Sequence, residues 1–290
     1  MATGTTEFID NTVADVFIPE IWSALAIEAR FQRLVWSKVA DHRYEKEMKV
    51  GDTLNVPSRT HLTAQTKARN SNAAIVFETQ TETNTQVTVT TWEYSAIAIE
   101  SIVKVQANRD LLSFYASEMG YALDLAVDDV LAGLPDDVGA SYTVGSLATG
   151  LSYQDLLEGR RILNAANAPQ EGRHLLISPD EEANILNMEQ FIHRDYSEAL
   201  KVNMGTDEDH AWIGHWMRMP VWMSTNVEGS TAAGHDNAML HESNFALVRQ
   251  MQPTSHSQYD INYFVDKVAM ENVHGSRAMR SDHCVWLRGK

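Results

Sequence analysis

The chain has 290 residues, 44% of them hydrophobic, enough for one large domain or two modest ones with a sizeable core. Its 39 acidic and 23 basic residues give a formal net charge of −16 and a pI near 5.0, which argues against a protein that works mainly by gripping phosphate backbones. The single cysteine, Cys284, allows no intramolecular disulfide, and neither a signal peptide nor a membrane-length apolar run is present, so the composition points to a soluble intracellular protein.

A polar start, Ala2 to Asn11, leads to Phe17-Ile18-Pro19-Glu20. Pro19 fits the first position of a helix and Glu20 suits its positive end. Ile21, Trp22, Leu25, Ala29 and Val35 then recur at helical spacing, with Leu34 and Trp36 off that stripe. The pattern fits an amphipathic helix on its own core, or an arm that packs on something else. From Lys46 to Glu100 the texture changes. Val50-Gly51-Asp52 and Val56-Pro57 bracket a short strand. The run Ile75 to Ile99 is nearly all β-favouring, with Thr79, Thr81, Thr83 and Thr85 alternating before Val87 and Val89 take one face. Thr60 to Asn72 is polar and turn-rich. The whole reads as a long two-stranded hairpin whose middle and tip hold little apolar residue. A bare hairpin is marginal in water, so this one is either a mobile loop or an arm lying on another surface.

The strongest helix signal follows. Asn108 can cap it, with Asp110 in the first turn. Leu111, Tyr115, Met119, Ala122, Leu123, Ala126 and Val130 share a face, which Leu112, Phe114, Leu125, Val127 and Leu131 widen. Gly133 and Pro135 stop it. From Arg109 to Leu134 such a rod is about 40 Å long. Glu118, Asp124, Asp128 and Asp129 exclude a membrane span. Beyond Pro135 the texture is ordinary α/β. Ser152 and Asp155 resemble a capping box for a helix running towards Asn164. His174 to Ser178 reads as a short buried strand, and Pro179-Asp180-Glu181-Glu182 opens a helix carrying Ile185, Leu186 and Met188. Gly205 to Asn226 is rich in glycine and aromatics and ends in a strand-like Met219 to Ser224. His241 to Met251 reads as a helix, and Tyr259 to Val273 and Cys284 to Leu287 as strands. The acidic runs Asp128-Asp129, Asp136-Asp137 and Asp180-Glu181-Glu182 read as solvated helix ends.

Little in the chain speaks of catalysis. There is no phosphate-cradling glycine loop, no GxGxxG after a strand and no Gly-x-Ser-x-Gly elbow. His241-Glu242 lacks the second histidine of a zincin helix, and Cys284 has no CxxC partner. The one suggestive cluster is His193, His210, His215, His235 and His241, with Asp207, Glu208, Asp209, Asp236 and Glu242 among them. A metal hydrolase needs two or three imidazoles and a carboxylate on one site. The five-residue step from His210 to His215 suits neither one helix face nor one strand face, and eleven histidines cluster by chance. Trp212, Trp216 and Trp222 read as core or subunit-contact aromatics. The expectation is no catalytic, cofactor-binding or metal site.

The order of these parts resembles the major capsid protein of tailed bacteriophages, the Hong Kong 97-type shell fold. Phe17 to Trp22 looks like the start of that family's N-terminal arm, and Lys49-Val50-Gly51-Asp52-Thr53-Leu54-Asn55-Val56-Pro57 like the phrase leading into its extended loop. Arg173-His174-Leu175-Leu176-Ile177-Ser178-Pro179 resembles the strand-proline-helix phrase of its axial domain. Gly214 to Asn226 resembles the later Pro-Val, Ser-Asn phrase, here with Thr225 between serine and asparagine. Val273-His274-Gly275-Ser276-Arg277-Ala278-Met279-Arg280 is similar to the closing segment, with histidine where an aromatic is usual.

The resemblance implies an α+β chain in five parts. These are an N-terminal arm (1–43), an extended β-hairpin loop with the start of the peripheral domain (44–100), and the spine helix of that domain (101–137). An axial domain (138–254) and strands returning to both domains (255–290) complete it. It implies a non-catalytic subunit without cofactor, self-assembling as hexamers and pentamers into an icosahedral head around double-stranded DNA, in a virion built in the bacterial cytoplasm. The implied partners are a scaffolding protein, a portal and a decoration protein, with no membrane. No extra domain precedes the arm, so the scaffold is expected as a separate protein or as a segment removed earlier. Some relatives cross-link subunits through a loop lysine; Lys67 lies near the hairpin tip, but nothing identifies a partner for it. An encapsulin-like nanocompartment and a metal-dependent hydrolase using His193 to His241 are the rival readings.

Overall fold

A computed structural model describes residues 34–59, 62–79, 82–102, 111–134, 142–188 and 211–290. The centre of the molecule is a mixed sheet of seven strands. They are β4 (Thr143–Gly145), β5 (Arg173–Ile177), β6 (Trp212–Trp216), β7 (Met219–Met223), β8 (Gly229–Ser230), β9 (Gly234–His241) and β12 (Cys284–Gly289). The order across the sheet is β4-β12-β9-β5-β7-β6, with β8 beside β9. Strand periodicity sends alternate side chains to opposite faces, and here both faces are buried. On one side Leu176, Ala238, Leu240, Cys284 and Trp286 meet α1 (Trp36–Val39) and α2 (Leu111–Gly133). On the other Leu175, Ile177, Met239, Val285 and Leu287 share a core with Leu156 and Leu163 of α3 (Tyr153–Ala165) and Ile185 of α4 (Pro179–Leu186). Sealing both faces explains why β5 reads as a continuous apolar run rather than an alternating one. Cys284 is fully buried in the first core, where burial pushes its thiol well up.

The helices start where local chemistry dictates. Ser152 and Asp155 form the reciprocal capping box at α3, and Ser178 caps α4 with Pro179 at its first position. The expected rod is α2, 23 residues and about 34 Å long. Met119, Leu123, Val127 and Leu131, four apart, form its buried line, while Val130 lies outside it, 39% exposed. The expected cap Asn108-Asp110 and the helix signal from Pro19 to Ala29 lie outside the described residues. Trp36, off the expected stripe, is in fact core. Its indole Nε1 donates to the Asn226 carbonyl at 2.7 Å and its ring packs against Phe245.

A second, three-stranded sheet contains β3 (Thr91–Glu100), β11 (Val265–Ala278) and β10 (Phe245–Asp260), in that spatial order and antiparallel throughout. Here the expected helix from His241 to Met251 is overturned. Phe245 and Leu247 face the central core while Ala246 and Val248 face a third cluster with Met48, Val87 and Val89. A strand buried on both faces gives an unbroken apolar run, which periodicity alone cannot separate from a helix. The β-favouring run from Ile75 to Ile99 does not stay within one hairpin. It breaks at Val89, whose N–H donates to the Asp52 carbonyl, and yields β2 (Glu82–Thr88) and β3 in different sheets. β2 pairs with β1 (Thr53–Arg59) from Thr53↔Thr88 to Arg59↔Glu82. Where this hairpin leaves the body it crosses β11 at Gly275; a Cβ there would stand 2.2 Å from the Thr88 carbonyl oxygen. Two acidic runs read as solvated also change character: Asp128 and Glu181 are fully buried.

Candidate functional site

Two surfaces and a set of buried polar groups are the candidates for function. The first surface is the hairpin. Beyond its ladder, residues 62–79 form no strand. A turn bonds the Ser71 N–H to the Ala68 carbonyl, with Asn70 in the left-handed region at φ 69°. The two arms of this loop are tied by Glu78, which accepts from the Thr63 N–H at 3.0 Å and from Gln65 at 2.9 Å. Leu62, Ile75, Val76 and Phe77 stand exposed here, Phe77 by 88%. The sequence reading of a tip almost without apolar residues missed this triplet, because it treated Ile75-Val76-Phe77 as paired strand. Lys67 lies in the same loop, exposed. The second surface is the outer half of the three-stranded sheet. Trp92, Tyr94, Tyr259, Ile261, Tyr263 and Phe264 are all exposed there, and Lys267 holds the turn by bonding Asp260 at 2.6 Å beside the Tyr263 ring.

The buried polar groups lie on both faces of the central sheet, where the helices pack on it. Asp128 of α2 accepts from the Ser37 N–H (3.0 Å) at the start of α1 and from Asn226 Nδ2 (3.3 Å) beyond β7. Burial pushes its carboxyl up to about 6 despite those bonds. Glu181 likewise accepts from the Leu151 N–H and from Asn184, with its carboxyl raised by burial.

The histidines do not converge as the sequence spacing suggested. His193, His210, Asp207, Glu208 and Asp209 lie outside the described residues. His215 packs edge-on against Trp212, while His235 bonds Asp180 at 3.0 Å. Asp236 pairs with Arg288, and Glu242 is exposed at the turn after β9. Among the described residues, no group of histidine, cysteine and carboxylate could hold a metal ion. A different trio meets instead. His241 Nδ1 and His283 Nδ1 both bond Ser243 Oγ, at 2.7 and 2.9 Å, and the two rings stand edge to face at 5.7 Å. His174 accepts from Trp222 Nε1 at 3.2 Å and is depressed to about 4 by burial and by His241. Burial lowers His241 and His283 as well. These are neutral imidazoles bonded to one another's neighbours, which is packing chemistry. Only the strand pairing of β5 with β9, and the short connections after β9 and β11, bring them together, so no spacing rule could have found them.

No family model matches the sequence, and no curated protein matches it. Solved structures do match. A chain of Mycobacterium phage Che8 superposes with TM-score 0.75 at 19% identity, over 93% of this chain and 97% of that one. A chain from the capsid of cyanophage P-SCSP1u superposes with TM-score 0.72 at 15% identity, over 100% and 99%. One from the mature capsid of bacteriophage PhiM1 gives 0.69 at 11%, over 94% and 92%. The chain has the Hong Kong 97-type capsid fold. The overlay on the cyanophage chain takes in hairpin, rod helix and both sheets.

Proposed function

We propose that this chain is a major capsid protein that self-assembles, as hexamers and pentamers, into the icosahedral head enclosing the double-stranded DNA of a tailed bacteriophage. The observation that carries the reading is the end-to-end likeness to chains of phage capsids. The projecting hairpin supports it: exposed Ile75, Val76 and Phe77 have no core of their own, and a neighbouring subunit supplies one. The division of labour follows the same reading: arm 1–43, extended loop and start of the peripheral domain 44–100, spine 101–137, axial domain 138–254, returning strands 255–290. The role is structural rather than catalytic, the place is the virion, and assembly proceeds in the host cytoplasm with scaffold, portal and decoration proteins as partners. Negative-stain microscopy of the expressed chain, alone and with a co-expressed scaffold candidate, tests this. Closed shells of regular diameter that package DNA in the infected cell are expected. A chain that stays monomeric at high concentration with its scaffold, or shells filled with a docked enzyme, would overturn it.

A further inference from the structure

In a chain carrying −16, one recess is lined by three arginines and a single carboxylate. Arg160 on α3, Arg173 at the start of β5 and Arg218 on the β6–β7 turn surround it, with Gln170, Glu171, Met217 and Met219 completing a cavity of about 190 Å³. Arg173 forms its floor and is 2% exposed. Its Nε donates to the Pro169 carbonyl and one terminal nitrogen to the Ala168 carbonyl, both at 2.7 Å. Among the described residues its other terminal nitrogen has no acceptor. None of the three guanidiniums has a carboxylate partner there, although neighbouring Arg161 is paired with Glu158. Burial and the nearby Arg160 charge lower the Arg173 guanidinium from its ordinary value, as expected of a cation held without a counter-ion.

The turn that carries Arg218 holds its backbone in the left-handed region. β6 and β7 are joined by a two-residue turn with Met217 at φ 45° and Arg218 at φ 70°. That geometry favours asparagine and glycine, so glycine can replace Arg218 without backbone cost.

We propose that Arg160, Arg173 and Arg218 form a binding site for a terminal phosphate group, as inorganic phosphate or a phosphate monoester. Guanidiniums match phosphate oxygens through paired N–H donors in a plane, and three of them around one recess suit a tetrahedral dianion. A monoester presents three free oxygens to a closed recess. A duplex phosphodiester presents two, flanked by sugars too bulky to follow. The site does not depend on the shell role proposed above, since all its residues come from one subunit.

Calorimetric titration of the full chain in chloride buffer with inorganic phosphate, a nucleoside monophosphate, acetate and a short DNA duplex tests it. Saturable binding of both phosphates is expected, with acetate and duplex at least tenfold weaker. Arg160→Gln and Arg218→Gly should each weaken phosphate binding about tenfold. Arg218→Gly should melt no lower than the parent, since glycine relieves the turn, so loss of binding is separated from loss of fold. Bound phosphate should also raise the titration midpoints of His241 and His283, which feel the Arg173 charge from behind the recess. No phosphate binding, or unchanged binding in both variants, would overturn the site. Acetate binding as tight as phosphate would instead make it a socket for a neighbour's acidic side chain, and duplex binding as tight would make it a DNA contact.

Discussion

The seven-stranded sheet and the hairpin treat apolar residues in opposite ways. The sheet hides them on both faces: Leu175, Leu176 and Ile177 are all fully buried, as are Val285 and Leu287. The hairpin displays them. Its Ile75 is 66% exposed and its Phe77 88%. Full burial of such a side chain stabilises by roughly 1.5–3 kcal/mol. The sheet collects that within one subunit, whereas the hairpin leaves it uncollected until another surface arrives. One region therefore sets whether the chain folds, the other what it does once folded.

The largest test of that contrast is a pair of phenylalanines. Phe245→Ala, in the core against Trp36, should cost about 4 kcal/mol in urea unfolding of the isolated subunit. Phe77→Ser should change the same measurement by less than about 0.5 kcal/mol while slowing assembly seen by light scattering. Equal losses in the two variants would erase the distinction between the regions. Their junction is tested by Gly275→Ala. A methyl 2.2 Å from the Thr88 oxygen pushes hairpin against sheet, and a loss of about 3 kcal/mol is expected.

The pH response sharpens the picture of the self-sufficient region. Asp128 is raised to about 6 from an ordinary 3.8, so the folded state holds its proton more tightly and stability falls as pH rises through that window. His174 is depressed to about 4 from 6.5, so the folded state resists protonation and stability is lost as pH falls through that window. The two slopes oppose each other between about pH 4 and 6. Asp128→Asn should therefore stabilise the subunit by about 1–2 kcal/mol at pH 7 and not at pH 4. It should also leave a steeper rise of stability with pH, read from urea midpoints across that range. Replacing residues 62–79 by a short glycine turn is likewise expected to change the stability of the isolated subunit little, by under about 1 kcal/mol, with assembly lost. If that deletion unfolds the chain, the loop belongs to the body after all.

Much of this contrast is legible in sequence where local chemistry decides. Ser152 with Asp155 and Ser178 with Pro179 announce their helices because caps are short-range. The arm-hairpin-rod-α/β order carries the resemblance that the superposition bears out at the level of fold. What is illegible depends on distant partners. Phe245 to Val248 is apolar on every side because two different cores claim its two faces, so it imitates a helix. Asp128 looks like a solvated helix end because its acceptors' partners, Ser37 and Asn226, come from far along the chain. The trio of His174, His241 and His283 is assembled by strand pairing, and the arginine recess by a helix, a strand and a turn that no spacing rule connects.

Cys284 gives the self-sufficient region a built-in clock. The only thiol of the chain lies fully buried at the start of β12, paired with Leu240 of β9 and facing the core shared with α1 and α2. A thiol reagent added to the native protein therefore waits for the central sheet to part, and its labelling rate counts those openings one by one. In a particle built from many copies, every subunit carries the same single counter, so the spread of labelling rates would show directly how unequal their surroundings are.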